Sequence, residues 1–255
     1  MCCAQAREAI VSLEGFGSAA SQSSKLGVLK SGLVFIYEGL DGPSWRDQGP
    51  GWAPRDRQRS VSSWLGVVIA EGLFVGLKLT HNNLKGEVGV ALAKLAALES
   101  LGGVSALQEL NLASNALTGS LAPRVIASFT SLMVFCTPFN RLSGEIPSTF
   151  SDCEALAVLN LQGNALSGRI PPSLGLCTNL RVVHLYSNDL SGPLPVELAA
   201  LDKLIELRLW DNRLTGPIPA EYGALSRLKV LHLANNLLTG EVPMPTLFSA
   251  SSAHL

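Results

Sequence analysis

The sequence predicts an α/β solenoid: a right-handed coil with one parallel β-sheet on its concave face and a helical cap at its amino end. Three observations carry this expectation. The segments LQELNLASNALTG, LMVFCTPFNRLSGEIP, LAVLNLQGNALSGRIP, LRVVHLYSNDLSGPLP, LIELRLWDNRLTGPIP and LKVLHLANNLLTGEVP align with Asn115, Asn140, Asn164, Asn188, Asn212 and Asn236 in register. Successive asparagines are 25 and then 24 residues apart, and a fixed period of this length is the mark of stacked structural units. An earlier copy, FVGLKLTHNNLKGEV, adds Asn82.

Each repeated residue has a physical task. In L-x-x-L-x-L the last two leucines are two apart, so on a strand they share the inner side while their neighbours face out. Leu207 and Leu209 thus face in, and Glu206, Arg208 and Trp210 face out. The asparagine enters the interior where the chain turns, and its amide can bond backbone groups left unpaired between coils. The following L-x-G-x-I-P turns the chain along one flank, with glycine allowing angles that other residues resist and proline ending hydrogen bonding there. No single coil can bury its apolar side alone, so stability comes from stacking.

The pattern L-x-x-L-x-L-x-x-N-x-L-x-G-x-I-P resembles the plant-type leucine-rich repeat (LRR) family over residues 73–243. The resemblance implies a horseshoe-shaped, right-handed leucine-rich-repeat solenoid that binds other molecules rather than transforming them. Two departures stand out. The 33-residue step from Asn82 to Asn115 reads as a copy shortened by 15 residues, an irregular loop or extra helical turn near 89–106. In the third copy Thr137 takes an inward leucine's place before Pro138, which predicts a short or bent strand.

Solenoid ends need covers. Leu26, Leu29, Leu33, Ile36, Tyr37 and Leu40 have helical spacing that stops at Asp41, Gly42 and Pro43. With Trp45, Trp52 and Trp64 this stretch resembles the family's amino-terminal cap, which gives the expected organisation: a tail over 1–22, a cap over 23–72, the solenoid over 73–243 and a tail over 244–255. In the family the W-x-G-V core of SSWLGVVIAEG is flanked by paired cysteines, whereas here Val61 or Ser62 and Ile69 stand in those places. After Pro243 only Leu247 and Phe248 are available to protect the last strand edge, so that edge is covered by the tail, by a partner, or by further chain.

The formal charge of −1, from 19 basic and 20 acidic residues, provides no bulk attraction for nucleic acid or anionic membrane. The longest apolar run, Trp64 to Leu79, is broken by Glu71 and Lys78 and is too short for a transmembrane helix. EGFGSAA matches a dinucleotide fingerprint but no βαβ unit follows, so no cofactor is expected. Cys2, Cys3, Cys136, Cys153 and Cys177 have no metal-ligand spacing. His184 and His232 share an outward column two coils apart, about 10 Å, too far for one metal. No catalytic constellation appears, and the chain is read as non-enzymatic.

What remains is a change along the outer face of the sheet. The middle column runs Asn111, Cys136, Asn160 and then His184, Arg208, His232, with Tyr186, Trp210 and Asp211 alongside. Aromatics beside arginine dominate binding energy in protein interfaces, so His184, Tyr186, Arg208, Trp210, Asp211 and His232 are the expected contacts for a protein or peptide ligand. Family receptors that grip a peptide carboxylate use R-x-R, where this chain has R-x-W at Arg208 and Trp210. A signalling-receptor ectodomain and a secreted inhibitor of cell-wall hydrolases are the other functions the resemblance implies. The absence of a secretory-signal pattern, of N-x-S/T and of the cap cysteines leads us to expect an intracellular protein, or a secreted or membrane-associated one if the chain is a receptor fragment.

Overall fold

The computed structural model of the protein describes residues 33–34, 36, 40–46, 66–70, 73–100, 107–240 and 252–254. The strand segments are β1 (Val67–Ala70), β2 (Leu73–Lys78), β4 (Glu109–Asn111), β6 (Val134–Cys136), β8 (Val158–Asn160), β10 (Val182–His184), β12 (Glu206–Arg208), β14 (Val230–His232) and β16 (Ser252–His254), which form one sheet in that order. β1 is antiparallel to β2 and every later pairing is parallel. The register repeats without a slip, Leu159 to Val183 to Leu207 to Leu231, because each coil contributes the same number of residues. These inward residues are buried in one continuous core.

The flank holds a feature beyond the single sheet expected from the repeat. Strands β3 (Lys85–Glu87), β5 (Ala116–Gly119), β7 (Arg141–Glu145), β9 (Ala165–Gly168), β11 (Asp189–Pro193), β13 (Arg213–Gly216) and β15 (Leu237–Leu238) form a second parallel sheet of seven strands. The L-x-G segment turns the chain and also pairs with its copies, because constant coil length brings its backbone groups opposite one another. On the convex side, short 3-10 turns at Ser148–Asp152, Pro172–Leu176, Val196–Ala200 and Ala220–Ala224 follow Pro147, Pro171, Pro195 and Pro219 and bury Phe150, Leu174, Leu198 and Tyr222. Cys153 and Cys177 end two of these turns as buried thiols outside any disulfide, donating to the carbonyls of Ile126 and Phe150. Burial pushes the Cys177 thiol up to about 11.

The irregular step in the spacing contains α1 (Val88–Ser100), longer than the extra turn expected there. Val88, Ala91, Leu92 and Leu95 are buried, and their i, i+3, i+4, i+7 spacing makes one apolar stripe. A four-residue helix, α2 (Pro123–Ile126), starts the convex side of the next coil. Of the short or bent strand expected at Thr137 and Pro138, the shortening is absent: β6 is as long as its neighbours. The reason is local: in the adjacent coils the N–H groups of Ala113 and Gln162, at the Pro138 position, bond only the nearby side chains of Asn111 and Asn160. A proline there removes no bond of the sheet.

At the amino end Leu33, Val34 and Ile36 are helical and buried, and Trp45 is buried with its indole N–H on the carbonyl of Leu40 at 2.7 Å. Trp52, Trp64 and the tail over 1–22 lie outside the described residues. Gly66 of the W-x-G-V stretch has φ +80 and its missing Cβ would meet the Lys78 carbonyl oxygen, so no other residue fits. At the other end β16 pairs with the outer edge of β14, placing Ser252 beside Val230.

The ladder asparagines join the coils. Asn212 is buried; its side-chain N–H groups donate to the carbonyls of Leu185 in the preceding coil at 3.0 Å, and of Leu209 and Trp210 in its own at 3.0 and 3.4 Å. Its Oδ1 accepts from the Leu190 N–H at 3.0 Å. The same set recurs at Asn140, Asn164, Asn188 and Asn236. Asn212→Ala strands these backbone groups and is expected to cost on the order of 2–4 kcal/mol in urea unfolding. Exposed Thr215→Ala in the same coil should change stability by less than about 0.5 kcal/mol.

Candidate functional site

Outward residues of the concave strands lie in columns, because parallel register stacks equivalent positions about 4.8 Å apart. The columns divide the face into three zones. Lys78 on β2 pairs with Glu109 on β4 at 2.6 Å and closes the first zone electrostatically. The middle zone is apolar: Val134, Cys136, Val158 and Val182 are buried in one cluster with Met133 packed against it. The third zone, on β10, β12 and β14 and the residues just after them, gathers the polar and aromatic groups.

In that third zone the rings of Tyr186 and Trp210 stack with centroids 4.5 Å apart and planes 17° from parallel. Trp210 also stacks on His232, at 5.5 Å and 26°, rather than continuing along its own column, where Ala234 offers no ring. His184 lies 6.2 Å from Tyr186. Pairs of this kind contribute about 0.5–1.5 kcal/mol each beyond their buried area, which makes a stiff aromatic surface across three coils.

Beneath it sits a charged cluster. His184 is only 1% exposed although its position is an outward one, and its Nε2 lies 2.9 Å from Glu206 Oε2. Arg208 Nε is 3.2 Å from the same oxygen, an ion pair in which the N–H is not aimed at its acceptor. Burial holds the His184 imidazole below its ordinary value against the opposing pull of the Glu206 carboxylate; Arg208 adds to the lowering.

Five of the six expected contacts are thus brought together: Tyr186, Trp210 and His232 in the stack, His184 and Arg208 on a shared carboxylate. Asp211 stands apart on the rim, with φ +53, accepting from Asn235 Nδ2 at 2.7 Å and Ser187 Oγ at 3.5 Å. Glu206 was legible only as an outward residue, and its role as the joint acceptor depends on two neighbouring columns at once. The apolar middle zone had a readable signal, valine at the same outward position in three successive coils. Among the described residues no group of histidine, cysteine and carboxylate side chains could hold a metal ion, and no helix is long and apolar enough to cross a membrane.

A family model described as Leucine Rich Repeat matches residues 155–177, 179–201 and 203–225. The LRR ectodomain of the receptor kinase SOBIR1 from Arabidopsis thaliana is 31% identical, with a TM-score of 0.51 over 55% of this chain and 76% of that one. The chain belongs to the leucine-rich-repeat family. Its LRR fold is also similar to PEPR1 in its AtPEP1 complex, with TM-score 0.74 and 27% identity over 88% of this chain and 30% of that chain. The plant peptide hormone receptor RGFR1 in complex with RGF2 gives 0.60 and 30% over 66% and 26%. The chain therefore spans under a third of the length of these two chains. No curated protein matches it. These solved LRR structures include a receptor ectodomain, a likeness that allows a secreted or membrane-associated protein and lends no support to the intracellular expectation.

The buried His184 has a consequence for pH. Its folded value is lowered, so the unfolded chain binds a proton more readily; the stability held by the neutral imidazole is in place above about pH 6.5 and is lost as pH falls below it. Thermal melts should therefore show a lower midpoint at pH 5 than at pH 7.5. In His184→Asn, which restores the residue found at Asn111 and Asn160 in this column, that difference should shrink.

Proposed function

We propose that this LRR protein is a non-enzymatic binding module whose late concave coils recognise another protein or a peptide. The observation that carries the reading is the Tyr186–Trp210–His232 stack beside Arg208. Rigid aromatics and arginine supply most of the energy of protein interfaces because they cover large areas at small entropic cost. The non-enzymatic part rests on the charged cluster: Glu206 is engaged by both His184 and Arg208, which leaves no free base paired with a nucleophile there. The organisation that fits this reading is a cap over 23–72, a solenoid over 73–243 and tails at 1–22 and 244–255, with no cofactor.

The likeness to RGFR1 with RGF2 and to PEPR1 with AtPEP1 supports a second, compatible reading, that the module is part of a signalling receptor's ectodomain in a secreted or membrane-associated setting. Sequencing the full-length transcript tests it: a membrane span and kinase downstream would support a receptor, and an open reading frame without them would count against it.

The site assignment is tested by Tyr186→Ala with Trp210→Ala. Capture of the binding partner should weaken by roughly thirtyfold or more, the scale of an interface hot spot, while the double variant, somewhat less stable for want of the stack, still melts cooperatively above the assay temperature. Undiminished capture by the double variant would remove the site from these coils.

A further inference from the structure

One column borders the concave face at the start of its strands: Gln108, Met133, Ala157, Arg181, Ile205 and Lys229 in successive coils. Met133 shows where such a side chain reaches, since it packs against the concave cluster of Val134, Cys136, Val158 and Val182. Two coils later the column becomes cationic. Arg181 and Lys229 are exposed on either side of half-buried Ile205, and neither forms an ion pair with the described residues. They stand two strand spacings apart, about 10 Å.

Cations and carboxylates in these coils differ in how far they are engaged. The Glu206 side chain is 11% exposed and lies against both His184 and Arg208. Asp211 is bonded along the rim to Asn235 and Ser187. The Arg208 side chain is 37% exposed, and its Nε lies 3.2 Å from Glu206 Oε2. A ligand approaching the late coils meets Arg181 and Lys229 as open charge, beside an aromatic surface.

We propose that the partner of this face is an acidic, proline-bearing peptide segment in the polyproline II conformation. Resting on the concave-face reading above, the proposal names the ligand's chemistry. In polyproline II every third residue returns to the same side after about 9.3 Å, which matches the Arg181 to Lys229 separation. A β-strand returns every second residue, at about 6.6 Å, and does not. Carboxylates at i and i+3 therefore meet Arg181 and Lys229, and a proline ring or an aromatic side chain packs against the half-buried edges of the Tyr186–Trp210–His232 stack. The preformed helix of such a segment also reduces the entropy lost on binding.

The probes are synthetic peptides followed by fluorescence anisotropy: Pro-Glu-Pro-Pro-Glu-Pro, its isomer Pro-Pro-Glu-Glu-Pro-Pro with adjacent acids, and the counterpart Pro-Lys-Pro-Pro-Lys-Pro. The first is expected to bind best and to weaken as salt rises from about 50 to 300 mM. Arg181→Glu with Lys229→Glu should weaken it about tenfold or more, and a thermal midpoint unchanged in this variant shows that the fold is intact. Equal or tighter binding of the lysine peptide, no binding of the first peptide, or affinity unmoved by the charge reversal would each overturn the proposal. Failure of the underlying reading looks different. If partner capture depends on Tyr186 and Trp210 but not on Arg181 and Lys229, the site stands and the acidic ligand falls; if it depends on neither pair, both fall.

Discussion

The ladder asparagine must satisfy backbone groups of two coils with one side chain, and that requirement governs the rest of the molecule. Asn164 donates to the Thr137 carbonyl of the preceding coil and to Leu161 and Gln162 of its own, while its oxygen takes the Leu142 N–H. An amide provides donor and acceptor at once; a serine would offer one donor, and a carboxylate none. The geometry closes only if the residue before the asparagine turns into the left-handed region. His81, Ser114, Phe139, Gly163, Ser187, Asp211 and Asn235 all do so. Coil length is thereby locked, and locked length keeps both sheets in register.

The concave face of the late coils inherits this rigidity. Tyr186 and Trp210 stack because Asn188 and Asn212 hold the turns that follow them, through bonds to the very carbonyls of those two aromatics. The face therefore needs no closing loop to become ordered. Its electrostatics follow from burial in the same way. A carboxylate as covered as that of Glu206 is tolerated when two positive or hydrogen-bonding neighbours share it, and removing either one would leave an uncompensated charge. His184, 1% exposed and 6.2 Å from the Tyr186 ring, supports that face from within.

Legibility in the sequence tracked how directly spacing converts into space. Inward leucines, the asparagine register and the outward columns follow from period alone, and the chain folds accordingly. Relations between columns do not. Trp210 crosses from its column to His232 because Ala234 leaves room, and Glu206 joins two neighbouring strands; both depend on side-chain rotamers rather than on period. The second sheet escaped because the L-x-G segment was credited with turning the chain and not with pairing. The segment before Asn115 has helical apolar spacing of its own from Val88 to Leu95, masked by leucines that also resemble a repeat. Compartment is not written in the repeat at all: the missing secretory pattern, N-x-S/T and cap cysteines are features the chain lacks, not residues whose spacing converts into space.

Phe139 shows why a single-coil consensus understates such a protein. Its neighbours at this turn are small or polar, suited to positive φ, whereas a large ring there is strained by roughly 1–2 kcal/mol. The ring is 51% exposed and lies over the next coil at Gly163, where even a Cβ would come within 2.5 Å of Phe139 Cδ1. The glycine suits its own φ of +63, which serine, aspartate and asparagine adopt in other coils, and it makes room for the ring of the preceding coil. Neither residue is explained by its own repeat; each is explained by the other, one coil away. The same holds for Trp210 and Ala234, and for Glu206 with His184. In a stacked fold the repeat defines the scaffold, and the chemistry that distinguishes one member from another is written in the pairs between repeats.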